Sequence, residues 1–318
     1  MIQFLGRGVA GFALLLVSYV AVGGLMTAAG APKARGQMVE IEPGRALRLV
    51  CEGPKNDRPV VWLESGAFGL AADWGAVQEA LTAAGWRSCA YDRAGMGFSP
   101  PGPKPRDGLA IVSDFEKLIA ASGEPGPYIL VGHSMAGLRL REFAGRNPDK
   151  VAGLVLADAA GPEAAQDPRM QSFIRAFANI SKWAARGASI GLYKPLVHTR
   201  LGDKIDLPPA AKAEKGWAFA NGRHNRTAAE EVSLWAEASA QAGRQPPFDP
   251  KWPVAVVTAG PVAGREARKA MQEAPARRSE HGLVDHVEDA THTLLIGRRF
   301  ADHIVRAVAF VADARTKG

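Results

Sequence analysis

Residues Tyr128–Gly137, which read YILVGHSMAG, carry the strongest indication of the fold in this 318-residue chain. Its first four residues are apolar, and such a run is typical of a strand buried on both faces of a parallel sheet. The rest follows the pattern Gly-x-Ser-x-small, in which small neighbours let a serine hydroxyl stand clear of a sharp turn. Leu138 and Phe143 continue at helical spacing, so the sequence places Ser134 on a turn between a strand and a helix.

Strands and helices alternate along most of the chain. Apolar or alternating runs predict strands at residues 46–51, 59–64, 86–91, 153–158 and 254–258. Amphipathic runs predict helices at residues 72–85 and 109–122, and a last helix carries Phe300, Ile304, Val308 and Val311. This alternation predicts a mostly parallel, twisted α/β sheet with helices on both faces.

Residues 160–250 break this alternation and predict an inserted helical cap. The segment contains helical stretches and no clear strand pattern. Its large aromatic residues are Phe173, Phe177, Trp183, Trp217 and Trp235. Because aromatic residues at helical spacing pack into a core more often than they line a pocket, we expect them to form the core of the cap.

Residues 1–36 form a separate segment ahead of a domain that spans residues 37–318. No residue between positions 8 and 32 is charged, whereas Arg7 precedes this block and Lys33 follows it. As a helix the block is long enough to span the hydrocarbon of a bilayer. It is predicted to be either a cleaved signal peptide or a retained membrane anchor that contacts the bilayer. Both alternatives place the domain outside the cytoplasm, whether periplasmic, membrane-anchored or secreted.

The composition excludes several classes of protein. With 47% hydrophobic and 22% charged residues, the chain is neither disordered nor fibrous. The net charge of +7 comes from scattered basic residues, which argues against nucleic-acid binding. No glycine loop suited to a phosphate opens a helix, and two cysteines are too few for a cysteine-based zinc site. We therefore expect neither a cofactor nor a metal.

Cys51 and Cys89 each lie in a predicted strand. In an oxidising compartment, thiols on neighbouring strands would pair, whereas two isolated buried thiols are the alternative. The positions of the two strands in the sheet decide between these alternatives.

A serine hydroxyl needs a base, and the chain has seven histidines. His133 adjoins the serine on a tight turn, while His198 and His224 fall in the predicted cap. His292 follows a predicted last strand and precedes the last helix, where a loop at the same edge of the sheet reaches Ser134. His292 is therefore the predicted base, and the alternative is an ordinary histidine on a surface loop.

Three motifs give the chain a resemblance to the α/β-hydrolase superfamily. They are LESG at residues 63–66, YDRAGMGFS at residues 91–99 and GHSMAG at residues 132–137. The chain resembles in particular the exported bacterial serine hydrolases that carry a helical cap. The similarity covers residues 45–160 well and residues 250–312 loosely, whereas the cap matches nothing specific.

This resemblance implies roles for individual residues. Ser134 would be the nucleophile, and His292 would be the general base and later the acid for the leaving group. The backbone N–H groups of Met135 and Ala67 would form the oxyanion hole. The superfamily topology also makes the strands of Cys51 and Cys89 adjacent and antiparallel, which implies a disulfide.

The catalytic acid is the point where the sequence departs from the superfamily pattern. The usual Asp is absent from residues 258–266, which follow the predicted seventh strand. Some members carry the acid at the end of strand six instead, where this chain has Asp158. Asp158 is therefore the predicted acid, and the alternatives are Glu266, Asp289, Asp285 or no acid. Asp92 and Arg93 of the second motif are expected to hold their own turn rather than to take part in catalysis.

The sequence therefore predicts a serine hydrolase that cleaves an ester or amide of a small to medium molecule through an acyl-enzyme on Ser134. One alternative is a catalytically silent binding protein of the envelope with the same fold. Another is a cofactor-free haloperoxidase or lyase that uses the same triad. A dehalogenase with an aspartate nucleophile is excluded because the turn carries a serine.

Overall fold

The computed structural model describes residues 2–28, 30–197, 199 and 203–316. His198 lies outside the described residues, as does Ala29 of the predicted signal or anchor segment. Most of that segment forms one helix, α1 (Ile2–Ala28). Within the described ranges no helix is both long and apolar enough to cross a bilayer.

Eight strands form one sheet. They are β1 (Gln37–Glu42), β2 (Arg45–Glu52), β3 (Val61–Glu64), β4 (Ser88–Tyr91), β5 (Tyr128–His133), β6 (Val151–Ala157), β7 (Val254–Ala259) and β8 (Gly282–Val287). Their order is β1-β2-β4-β3-β5-β6-β7-β8, and β2 runs antiparallel to both of its neighbours while the strands from β4 to β8 are parallel. The predicted mostly parallel α/β sheet is confirmed.

Helices cover both faces of this sheet. They are α2 (Gly75–Ala83), α3 (Gly108–Ser122), α4 (Ala136–Arg146), α9 (Glu266–Arg278) and α10 (Ala301–Arg315). Leu130 and Val131 of β5 point to opposite faces, and each is fully buried in a different apolar cluster. This two-sided burial explains why the strand that leads to Ser134 has no polar alternation.

The segment between β6 and β7 is helical. It contains α5 (Pro168–Ser189), α6 (Pro209–Phe219), α7 (Gly222–Ser233) and α8 (Trp235–Arg244). The expectation that its aromatic residues form a core holds for Trp235, which is buried, but is wrong for Phe173 and Trp183. These two side chains are 52% and 68% exposed because α5 turns its small residues inward, including Ala185.

Cys51 and Cys89 stand directly opposite each other in the antiparallel pair of β2 and β4. Their Cα atoms are 4.1 Å apart, and a disulfide joins them. The pairing that the resemblance implied is therefore present in the structure. It ties the antiparallel β1–β2 hairpin to the parallel part of the sheet.

Candidate active site

Ser134 lies on the sharp turn between β5 and α4. Its backbone has a φ of +60°, a left-handed value that is uncommon for a residue with a side chain. The peptide is held in place by its neighbours, because Ser134 N–H donates to Ala157 O at 3.2 Å and Ser134 O accepts from Ala160 N–H at 2.8 Å. These bonds fix the turn to the end of β6, the strand that precedes Asp158.

Small residues let other segments approach this turn closely. A Cβ on Gly66 would lie 2.7 Å from Ser134 Cβ, and a Cβ on Gly132 would lie 2.6 Å from Leu140 Cδ1. Neither distance is compatible with van der Waals contact; the Leu140 side chain could shift away from Gly132, whereas Gly66 faces Ser134 Cβ and the His133 backbone and therefore requires glycine. The LESG and GHSMAG motifs therefore meet at the serine.

His292 and Asp158 contact each other at the carboxyl edge of the sheet. Nδ1 of His292 lies 2.5 Å from Oδ2 of Asp158, although 134 residues separate them. Asp158 is 6% exposed, whereas the His292 side chain is 40% exposed. A carboxylate in this position holds the imidazole with its proton on Nδ1, which leaves Nε2 as the proton acceptor.

The Asp158 carboxylate is held by further contacts. Its backbone has a φ of +43°, and its N–H donates to Val257 O at 2.7 Å. Gln272 donates to Oδ1 at 2.9 Å, so both carboxylate oxygens have partners. Burial works to raise the pKa of Asp158, but the hydrogen bond and charge of His292 together with Gln272 hold that pKa below its usual value.

The alternative acids have other surroundings. The Glu266 carboxylate is exposed at the start of α9 and accepts from Gly264 N–H at 3.0 Å. Asp285 lies in β8 and contacts Nδ1 of His303 at 2.6 Å. Asp289 is exposed. The geometry therefore brings Asp158, rather than one of these residues, to His292.

His133 is engaged with the same loop. Its Nε2–H donates to the backbone carbonyl of His292 at 2.8 Å, and the two rings lie 4.4 Å apart. Burial and the proximity of His292 lower the pKa of His133 to about 3. The ring is therefore neutral at physiological pH, and its only N–H is used to hold the His292 loop.

The two predicted oxyanion donors belong to two segments that meet at the serine. Met135 caps the N-terminus of α4, where backbone N–H groups and the helix dipole favour a developing negative charge. Ala67 follows Gly66, the residue in close contact with Ser134. The next residue, Phe68, has a φ of +56°.

The motif at residues 91–99 contacts more of the molecule than its own turn. Asp92 does hold its own turn, since its Oδ2 accepts from Phe98 N–H at 2.8 Å. Arg93 leaves the turn and donates to the carbonyls of Ser65 and Gly66. Sequence reasoning also missed Gln272, because a glutamine in a helix carries no local signal of a contact 114 residues away.

One group of potential metal ligands is present among the described residues. It consists of Cys51, Cys89 and Glu124. Because the two sulfur atoms are bonded to each other, this group is not a metal site.

Known proteins that resemble this chain in sequence or structure share its α/β fold. Residues 59–296 match the family model described as alpha/beta hydrolase fold. The chain is 37% identical over 114 residues to a protein of Variovorax paradoxus named "Putative carbamate hydrolase RutD", a match that covers 36% of this chain and 42% of that one. The chain spans less than half of the length of the curated relatives that it matches.

Two solved structures have the same fold. A thermophilic esterase from Thermogutta terrifontis superposes with a TM-score of 0.62 at 20% identity, covering 88% of this chain and 100% of that one. The epoxide hydrolase CorEH superposes with a TM-score of 0.67 at 19% identity, covering 87% of this chain and 99% of that one.

Proposed function

Because the chain belongs to the alpha/beta hydrolase fold family, we propose that it is a serine hydrolase for an ester or amide of a small to medium molecule. The observation that carries this proposal is the contact of His292 with Asp158 at the sheet edge where Ser134 stands. A buried carboxylate, an oriented imidazole and a serine on a strained turn are the three parts of an acyl-transfer site.

The first half of the proposed reaction forms an acyl-enzyme. Ser134 Oγ attacks the carbonyl carbon while His292 Nε2 accepts the hydroxyl proton. The negative charge moves to the carbonyl oxygen, where the N–H groups of Met135 and Ala67 stabilise it. When the tetrahedral intermediate collapses, the C–O or C–N bond to the leaving group breaks and His292 returns the proton to that group.

The second half releases the acid. A water molecule donates its proton to His292 Nε2 and attacks the acyl carbon, and collapse of this intermediate returns the proton to Ser134. Asp158 stays ionised throughout and stabilises the imidazolium that forms twice in the cycle. Its lowered pKa suits this role, because the carboxylate keeps its charge at any pH at which the base works.

The engaged Asp158 also favours an enzyme over a catalytically silent binding protein with the same fold. A protein without turnover has no need for a strained, buried aspartate that contacts a histidine at the edge of the sheet. A haloperoxidase or a lyase would use the same triad, so the site residues do not separate these alternatives from a hydrolase. The reaction products do, because only a hydrolase is defined by stoichiometric release of an acid and an alcohol from an ester.

We further propose that the domain works outside the cytoplasm. The disulfide between Cys51 and Cys89 supports this location, because disulfides persist in oxidising compartments and are rare in reducing ones.

The test is activity-based labelling of the folded protein with a fluorophosphonate probe, followed by hydrolysis of a panel of p-nitrophenyl esters of two to eight acyl carbons. We expect covalent labelling on Ser134 and stoichiometric release of acid and p-nitrophenol. Ser134→Ala is the control and should abolish both signals. Folded wild-type protein that neither labels on Ser134 nor hydrolyses any ester of the panel would overturn the proposal.

A further inference from the structure

The loop Ser65–Gly69, called here the oxyanion loop, contains the proposed donor Ala67. It begins directly after β3 and touches the serine turn through Gly66. Phe68 has a left-handed φ of +56°, which is unfavourable for a bulky side chain. The loop therefore needs contacts that hold it in this conformation.

Arg93 fixes the peptide that carries the Ala67 N–H. Its Nη1 donates to Ser65 O at 2.9 Å and its Nη2 donates to Gly66 O at 3.0 Å. In a trans peptide the carbonyl and the following N–H point in opposite directions. The bond from Arg93 to the Gly66 carbonyl therefore orients the Ala67 N–H away from the guanidinium.

Glu231 of the cap helix α7 holds Arg93 in turn. The Arg93 guanidinium donates to both carboxylate oxygens, with Nε 3.0 Å from Oε1 and Nη2 2.8 Å from Oε2. Both residues are 1% exposed. Glu64 and Arg139 complete a buried cluster of two acids and two arginines, with Arg139 Nε donating to Glu64 Oε1 at 2.6 Å. Because the cluster is buried and its charges balance, removing one of them leaves an unpaired buried charge.

Two more cap residues contact the other end of the oxyanion loop. Lys215 of α6 donates from Nζ to Phe68 O at 3.0 Å and forms an ion pair with Asp73 at 2.8 Å. His224 of α7 is 2% exposed and accepts from Gly97 N–H at 3.0 Å through Nδ1, and the nearby Phe68 backbone favours the protonated form of its ring. The strained residue of the loop is therefore hydrogen-bonded to α6 through Lys215 and lies close to His224 of α7.

We propose that Lys215, His224 and Glu231 are positioning residues, through which the docked cap sets the geometry of the oxyanion hole. This inference rests on the proposed serine hydrolase function. The cap then contributes to stabilisation of the transition state and not only to enclosing the substrate. A change at the cap interface should therefore lower the rate of acylation more than it weakens substrate binding.

The central experiment compares Glu231→Gln with Glu230→Gln. Glu230 is the neighbouring residue on α7, and it pairs with Lys104, a side chain that is 77% exposed. For Glu231→Gln we expect kcat for p-nitrophenyl butyrate and the fluorophosphonate labelling rate to fall about 10- to 100-fold. This loss is smaller than the loss in kcat on removal of an oxyanion-hole donor, because the Ala67 N–H is still present. KM should change less than threefold, and Glu230→Gln should match the wild type in all three quantities.

Hydrogen–deuterium exchange provides a readout that does not depend on activity. The amides of residues 65–70 should exchange faster in Glu231→Gln than in Glu230→Gln or the wild type, while those of β5 keep their protection. If Glu231→Gln does not fold, Lys215→Met is measured in its place with Lys215→Arg as the conservative variant, because the Lys215 side chain is partly exposed.

The outcomes separate this inference from the proposed function. Unchanged exchange in residues 65–70 overturns the inference whether or not the protein hydrolyses esters. Faster exchange with unchanged kcat also overturns it, because the loop would then move without affecting catalysis. A wild-type protein that is inert toward esters and fluorophosphonate refutes the hydrolase proposal, and the inference falls with it.

Discussion

His133 donates its Nε2 proton to the backbone carbonyl of His292 at 2.8 Å. The residue before the proposed nucleophile thus holds the loop that carries the proposed base. The two histidines are 159 positions apart in sequence, so this single bond connects the segments that carry the proposed nucleophile and the proposed base. The His133 ring also lies 4.4 Å from that of His292, which limits how far the proposed base can rotate.

Removing the His133 donor should therefore impair catalysis without removing any triad residue. His133→Phe keeps an aromatic ring but has no N–H, and we expect kcat for p-nitrophenyl butyrate to fall about tenfold, the equivalent of one lost hydrogen bond. His133→Gln retains an N–H donor and should recover part of the loss. Equal activity of the two variants would contradict a holding role for the hydrogen bond.

The acid assignment predicts opposite results for two conservative substitutions. Asp158→Asn removes the charge that stabilises the imidazolium and permits the wrong tautomer, so kcat should fall about 10³- to 10⁴-fold. Glu266→Gln should leave kcat within twofold of the wild type, because the Glu266 carboxylate is exposed and bonds its own loop. Steady-state hydrolysis of p-nitrophenyl butyrate measures kcat for both variants. If Asp158→Asn keeps its activity while Glu266→Gln loses it, the assignment of Asp158 as the acid is wrong.

Two buried histidines should make the protein less stable at acidic pH. Burial lowers the pKa of both His133 and His224 to about 3, whereas an unfolded histidine titrates near 6.5. Between these values the unfolded state binds more protons, so the free energy of unfolding should fall as the pH drops below 6.5. The expected slope is about 1.4 kcal/mol per pH unit for each histidine.

Urea denaturation between pH 4 and pH 8 measures this slope. His224→Gln should remove about half of the slope that the two buried histidines contribute. An unfolding free energy that is independent of pH between 4.5 and 6.5 would contradict the neutral state of both buried rings.

The disulfide should contribute measurably to stability. It closes a loop with a sequence separation of 38, and restricting the unfolded chain in this way is worth about 4 kcal/mol. Denaturation with and without dithiothreitol should differ by this amount in the wild type. The Cys51→Ala, Cys89→Ala double variant should be insensitive to the reductant, and a wild type that is equally insensitive would exclude a stabilising bridge.

The types of most elements and the position of the proposed nucleophile were predictable from local sequence patterns. Residues 128–131 are apolar throughout because both faces of their strand are buried, and this pattern predicts a strand without knowledge of the neighbouring strands. The turn at Ser134 was equally predictable, because the small residues that it requires lie within a few positions of the serine. The proposed base, His292, was likewise predicted from its place between the last strand and the last helix.

Which carboxylate contacts His292, and which residues the cap contacts, became known only from the three-dimensional structure. Asp158 follows β6, Glu266 begins α9 after β7, and Asp285 lies in β8, so all three belong to one half of the sheet and only the paths of their backbones separate them. The exposure of Trp183 depends on which face of α5 is buried, and this is set by packing against α7. The bond between Arg93 and Glu231 spans 138 residues, and no local pattern encodes a contact that exists only when the cap is docked.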